Sequence, residues 1–157
     1  MSLVCFTDGS AINNGKPNAI ASYSVVWPDF PDMNVAEVIP PPCTNNRGEF
    51  SGAIKAIELA KVMDPSGDKP LVIYTDSMLM INSLTKWIKG WKKNNWVKSD
   101  GKDVLNKDLL ELIDQGMKDR NIQFIHVKAH TKDDSFEANN NRLADELAKK
   151  AIEMKRV

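Results

Sequence analysis

Apolar residues in this chain first cluster in short runs and later recur at helical spacing. Leu3-Val4-Cys5-Phe6 and Leu71-Val72-Ile73-Tyr74-Thr75 are continuous runs, as expected of central strands buried on both faces. Residues 20–27 alternate loosely and are partly β-branched or aromatic, which predicts a strand, and residues 35–39 predict a short further one. The polar turn Asn13-Asn14-Gly15-Lys16-Pro17 and residues 28–32 separate them. Pro40-Pro41-Pro42 stops the short strand, because proline donates no ladder hydrogen bond.

The period then changes. Phe50, Ala53, Ile54, Ile57 and Ala60 recur at helical spacing behind Thr44 or Asn45 as cap, and Asp64-Pro65-Ser66-Gly67 breaks that helix. Further helices are predicted over residues 78–87, over 104–117 with apolar Leu105, Leu109, Leu112 and Ile113, and over 139–154. Residues 122–127 predict a last strand and 128–138 a polar loop. Three strands, helix, strand, helices, strand, helix is a mixed α/β pattern around one sheet.

A length of 157 residues fits one domain, residues 1–157. Cys5 and Cys43 are too few for a disulfide framework, so an intracellular, reducing setting is expected. No apolar run approaches the roughly 20 residues of a membrane helix. Met1-Ser2-Leu3 runs straight into a strand, so no signal or transit peptide is expected. Nothing in the sequence requires more than a monomer.

Charge first argues against a nucleic-acid partner, since 21 Lys+Arg balance 21 Asp+Glu. Locally there is no balance. Residues 86–107 carry seven lysines and two aspartates, so the remainder is negative by the same five charges. Three of the four tryptophans, Trp87, Trp91 and Trp96, lie in this stretch. Lysines attract phosphates and indoles offer flat faces to sugars or bases. The same pattern also suits an amphipathic helix with tryptophans packed inward.

Two segments echo each other, Phe6-Thr7-Asp8-Gly9-Ser10 and Tyr74-Thr75-Asp76-Ser77, each delivering an aspartate at the end of an apolar strand. If those strands are parallel neighbours, the carboxylates meet where open α/β sheets bind ligands. Such crowding is costly unless a hard cation neutralises it. Glu49 lies beside the first helix's apolar stripe. Asn141 and Asp145 share a helix face, flanking Leu143 and Leu147 as expected core residues. Each acid alone also has a plain reading: Asp8 and Asp76 capping turns, Glu49 closing a capping box from Asn46, Asp145 solvated.

Taken together, Thr7-Asp8-Gly9-Ser10, Thr44-Asn45-Asn46-Arg47-Gly48-Glu49, Tyr74-Thr75-Asp76-Ser77, Val127-Lys128-Ala129-His130 and Asn141-Arg142-Leu143-Ala144-Asp145 stand in the order and rough spacing of type 1 ribonuclease H. The chain resembles that family over nearly its whole length. The resemblance implies a ribonuclease H-like fold, a five-stranded mixed sheet with helices on both faces. It implies one ribonuclease H domain, with no separate hybrid-binding domain. It also implies an endonuclease that cuts the RNA strand of RNA–DNA hybrids, with little sequence specificity, leaving 5′-phosphate and 3′-hydroxyl ends.

Asp8, Glu49, Asp76 and Asp145 fall on the family's metal-binding carboxylates, for two Mg²⁺ ions ~3.5–4 Å apart, with Mn²⁺ as a substitute. By the same match Asp8 bridges both ions, Asp145 serves the ion that activates water, and Glu49 and Asp76 serve the other. His130 matches a mobile histidine near the scissile phosphate, suited to moving protons near neutrality. The loop after it is a few residues longer than in familiar cellular enzymes. His126, inside the last strand, is read as structural or surface.

Trp87-Ile88-Lys89-Gly90-Trp91-Lys92-Lys93-Asn94-Asn95-Trp96 resembles the basic protrusion of cellular type 1 enzymes. On that match Trp87, Trp91 and Ser99 line a channel for the DNA strand; by their charge, Lys92 and Lys93 are expected to contact the phosphate backbone. Thr44 and Asn106 belong to a pocket for a DNA phosphate. Pro42 stands where some relatives carry an arginine, which implies weaker phosphate binding. Asn14, Asn45 and Asn46 match residues that reach the RNA strand through its minor groove, where the 2′-hydroxyl marks RNA; Asn141 is placed with the substrate contacts. Two other readings stay open on sequence: a catalytically silent hybrid-binding module, and another nuclease of the same superfold.

Overall fold

In the computed structural model, which describes residues 1–156, five strands form one sheet. They are β1 (Leu3–Ile12), β2 (Ile20–Val26), β3 (Val35–Val38), β4 (Leu71–Thr75) and β5 (Ile122–His126), in spatial order β3-β2-β1-β4-β5. The β1–β2 and β2–β3 pairs are antiparallel, and β1–β4 and β4–β5 are parallel. The expected mixed α/β sheet is present. Val157, the last residue of the expected 1–157 domain, lies outside the described residues.

β1 does not stop near Asp8 as its apolar run suggested. Its antiparallel partner carries it on, from Phe6 opposite Val26 to Ile12 opposite Ile20. On the other side the ladder with β4 pairs Leu3 with Leu71 and ends at Phe6 opposite Tyr74. Beyond that point β1 is bare on its β4 side, and Asp8 and Asp76 each lie two residues past the last pair.

The helices are α1 (Asn45–Met63), α2 (Met78–Asn82), α3 (Ile88–Lys93), α4 (Lys107–Asp119) and α5 (Phe136–Arg156), with a π-helical turn, Ser83–Trp87, joining α2 to α3. Strand residues alternate between two cores. Leu3, Cys5, Val25 and Ile73 pack with residues of α1 and α4, while Phe6, Val26 and Ala144 form a smaller cluster under α5.

Three helix boundaries differ from expectation. The segment predicted over 78–87 runs on to Lys93, because the Ser83 and Thr85 hydroxyls bond back to Leu79 O at 2.7 Å and Ile81 O at 2.6 Å and a wide turn forms there. The helix predicted from 104 starts at Lys107: Val104 N donates to Trp96 O at 3.0 Å, and Asn106 caps in the left-handed region at φ 64°. Leu105 and Leu112 are accordingly exposed, and Leu110, Ile113 and Gly116 are buried. The last helix begins at Phe136, since Ser135 Oγ accepts the Ala138 N–H at 3.1 Å.

The face of α1 also differs. Gly48, Gly52, Ala56 and Ala60 are the buried ladder at four-residue spacing, whereas Ile54 and Ile57 are half-buried at its flank. An added Cβ on Gly9 would lie 2.5 Å from the Glu49 backbone nitrogen, and one on Gly48 would collide with the Ser22 carbonyl. Glycine is required at both, because backbone meets backbone there.

On the opposite face, Ser22 and Ser24 hydroxyls donate to Ala148 O and Ala144 O, each at 2.6 Å. Small residues let α5 come that close. Leu143 is therefore exposed, contrary to its expected core role, while Leu147 packs half-buried against the Phe6, Val26 and Ala144 cluster, and Ala138, Ala144, Ala148 and Ile152 take the inner side. Among the described residues no helix is long and apolar enough to cross a membrane.

Where α1 and α4 end, Arg120 is buried and donates to Asp64 Oδ2 at 2.8 Å, Lys69 O at 2.7 Å and Asp64 O at 2.7 Å. The Lys69 backbone N–H, at 2.8 Å, and then Arg120 hold the Asp64 carboxyl down at about 2, below its ordinary 3.8. A depressed folded value stabilises above the unfolded value, and that stability is lost as pH falls through the folded one. Asp64→Asn should lower Tm at pH 7, with the gap to wild type narrowing between pH 4 and pH 2; thermal denaturation followed by circular dichroism checks this.

Candidate active site

Three carboxylates converge at the bare edge of β1. One oxygen each from Asp8, Glu49 and Asp76 lie within 4.8 Å of one another. Asp8 is supplied by β1, Asp76 by the residue just past β4, and Glu49 by α1, five residues after its cap Thr44. The α1 N-terminus is set by Thr44, whose hydroxyl accepts the Arg47 N–H at 3.1 Å, so Asn46 closes no capping box with Glu49. The Gly9–Gly48 approach then puts Glu49 against Asp8.

Asp8 and Glu49 are 4% and 5% exposed, an unusual depth for acids. Burial first, and then the Asp76 charge, push the Asp8 carboxyl up to about 8 from 3.8. Burial and the charges of Asp8 and Asp76 likewise raise Glu49 well above its ordinary range. Asp8 Oδ1 accepts the Gly9 N–H at 2.9 Å. Burial also raises Asp76; the Asn141 amide, 3.5 Å from its Oδ2, opposes this, Asp145 adds to it, and His130 and His126 oppose it. Crowding at this depth disfavours the charged forms, and a bound cation would relieve it.

Two buried oxygens here have no hydrogen-bond partner, Glu49 Oε1 and Asn141 Oδ1. Unpartnered acceptors facing a set of oxygen donors are what a hard cation satisfies. The residues therefore fit a divalent ion. Asp145 stands outside the three-acid set and pairs with Lys149 Nζ at 3.0 Å, yet its charge still reaches Asp8 and Asp76. His130 is exposed, at the turn beyond β5, with φ 54°; His126 is also exposed.

The other expected residues line neighbouring clefts. Asn14, Thr44, Asn45, Asn46 and Asn106 surround one of about 600 Å³, with Pro42 at its wall. The Asn45 N–H reaches Asn14 Oδ1 at 3.3 Å. Trp87, Trp91 and Ser99 share a second cleft of about 410 Å³, and the Trp87 and Trp91 rings lie 5.9 Å apart. Lys93 is exposed. Lys92 turns to α4, where its ammonium meets Asp114 Oδ2 at 2.5 Å.

The charged residue of the first cleft, Arg47, had no assigned role. Arg47 donates to Asn106 Oδ1 at 3.2 Å and forks onto Asp108 at 3.0 and 2.8 Å, tying α1 to the start of α4 beside Thr44. Its signal was a lone arginine inside Thr44-Asn45-Asn46-Arg47, three residues after the cap.

A family model described as RNase H matches residues 1–153. The chain belongs to the ribonuclease H family. As a ribonuclease H chain it is 41% identical over 152 residues to the Ribonuclease H1 of Rattus norvegicus, covering 96% of this chain and 51% of that protein. It is 36% identical over 151 residues to the Ribonuclease H of Tropheryma whipplei (strain Twist), covering 95% and 83%. The chain thus spans about half the length of the rat relative. The LC11-RNase H1 solved in complex with RNA/DNA hybrid shares its fold, with a TM-score of 0.69 at 24% identity over 99% of this chain and 100% of that one.

For this ribonuclease H chain the raised Asp8 carboxyl fixes the sign of a pH effect. A folded value above the unfolded one gives stability that is full at low pH and lost as pH rises from about 4 toward 8. In chelator, Asp8→Asn should flatten that decline and raise Tm at pH 7 by roughly 3 °C, or ~1 kcal/mol. Calorimetry across pH 4–8 measures it.

Proposed function

We propose that this chain is an endonuclease that hydrolyses the RNA strand of RNA–DNA hybrids, acting as one domain, residues 1–157, and as a monomer. The observation that carries this is the buried Asp8–Glu49–Asp76 cluster with its unpartnered Glu49 oxygen, opening beside clefts lined by asparagines and tryptophans. The names of the rat and bacterial relatives and the hybrid bound by LC11-RNase H1 support the substrate. The free thiols of Cys5 and Cys43 support a reducing, intracellular setting.

Asp8, Glu49, Asp76 and Asp145 would hold two Mg²⁺ ions, or Mn²⁺ in their place. Bound there, the ions would lower the pKa of a water and stabilise the leaving 3′ oxygen. Asn141 orients the Asp76 carboxylate. His130 carries a proton at the scissile phosphate and aids product release. Asn14, Asn45 and Asn46 take the RNA 2′-hydroxyls from the minor-groove side. Thr44 and Asn106 receive a DNA phosphate, while Trp87, Trp91 and Ser99 face the DNA strand. With proline at position 42, Arg47 is the cation of that phosphate cleft, and Asp108 already holds it.

Asp76→Asn should abolish cleavage of a labelled hybrid, while His130→Ala slows turnover and retains some of it. Equal loss in both variants refutes the ranking. Binding without cleavage in Mg²⁺ refutes the enzyme reading, and preference for duplex or branched DNA refutes the substrate.

Lys93→Gln should reduce the slope of log affinity against log salt by about one unit. Lys92→Gln should change it less, because Asp114 already neutralises that lysine; fluorescence anisotropy at several salt concentrations compares the two.

A further inference from the structure

Arg142 sits on α5 between Asn141, which touches Asp76, and Asp145. It does not face the carboxylates. Its guanidinium donates to Thr131 O at 2.9 Å, to Asp133 O at 2.7 Å and to the side-chain oxygen of Asn139. The Asn139 amide continues the clasp, reaching Asp134 O at 3.3 Å and Asp134 Oδ1 at 3.2 Å. Residues 131–134 have neither ladder nor helix, so these side chains of α5 are what hold them down.

His130 immediately precedes this clasped segment. On its other side the chain is fixed by the Val127 N–H, which donates to Thr75 O at 2.9 Å. Three residues, 128–130, therefore bridge two anchors, one on β4 and one on α5. Both anchors also carry candidate metal ligands, since Asp76 follows Thr75 and Asp145 follows Arg142 by three. An arginine suits the second anchor, because one planar fork serves diverging carbonyl acceptors where lysine offers a single point.

We infer that Arg142 is a positioning residue for His130. By clasping residues 131–133 to the helix turn that bears Asn141 and Asp145, it sets where the imidazole rests relative to the carboxylates. This rests on the hybrid-cleavage reading above and on the role given there to His130.

The test compares wild type, Arg142→Ala, Arg142→Lys, His130→Ala and the double variant Arg142→Ala/His130→Ala on one hybrid substrate. Arg142→Ala should lower kcat by about tenfold with KM within about twofold, and Arg142→Lys should recover part of the loss. In the His130→Ala background the same change should cost less than about twofold, because it acts through the missing imidazole. Backbone NMR order parameters at residues 131–134 should fall in Arg142→Ala and not in His130→Ala, a readout independent of cleavage.

An unchanged kcat in Arg142→Ala, or the full tenfold loss persisting without His130, overturns the inference. Unchanged order parameters do so too. If Arg142→Ala does not fold, Arg142→Gln carries the same comparison. A wild type that leaves hybrids uncut refutes the reading beneath it instead, and His130→Ala turning over at the wild-type rate refutes the role of His130; either result removes the positioning role as well.

Discussion

The distance between α1 and the sheet is set by backbone, not by side chains. Gly9 on β1 and Gly48 on α1 leave no room for a Cβ, and Gly52, Ala56 and Ala60 continue the contact along the helix. Everything at the site follows from this spacing. A helix held off by larger side chains would leave Glu49 out of reach of Asp8, and the unpaired end of β1 would present two aspartates with no third donor. The same spacing costs the helix its glycine propensity twice over, at roughly 1 kcal/mol each relative to alanine. Burial of Phe50, Ala53 and the facing strand residues offsets it.

The close approach also creates an electrostatic problem that the rest of the molecule is arranged around. Acids this deep repel one another and favour their neutral forms. Asn141, not a lysine or arginine, is the hydrogen-bond partner of Asp76, and among the described residues the side-chain cation in this region, Lys149, pairs with Asp145. The positive charge instead sits far along the chain, in the lysine-rich segment between α2 and α4. A balanced total charge hides this division between a lysine-rich stretch and a buried acidic cluster that fits a divalent cation.

Much of this was legible in the sequence, for identifiable reasons. Continuous apolar runs ending in Thr-Asp located β1 and β4 and their aspartates, because a doubly covered strand leaves no other pattern. What escaped depended on partners distant in sequence. β1 runs past Asp8 only because β2 pairs with it. The buried ladder of α1 is made of glycine and alanine, which a hydrophobicity pattern undervalues beside Ile54 and Ile57. Leu143 looked like core because alanines look like filler, yet the tight serine contacts favour Ala144 and Ala148. Asp64 read as a helix breaker, and its buried arginine partner is 56 residues away. Lys92 read as a phosphate ligand, and only the fold brings Asp114 beneath it.

The pair of serine hydroxyls under α5 has a further consequence. Ser22 and Ser24 are two residues apart on a strand, about 6.8 Å, and the carbonyls they bind are four residues apart on a helix, about 6 Å. The two rulers nearly agree, so the bonds act together like a vernier and fix both the sliding and the rolling of α5. Asp145 follows the bonded Ala144 by one position, about 100° around the axis. The direction in which Asp145 leaves the helix is thus calibrated by two uncharged groups on a neighbouring strand.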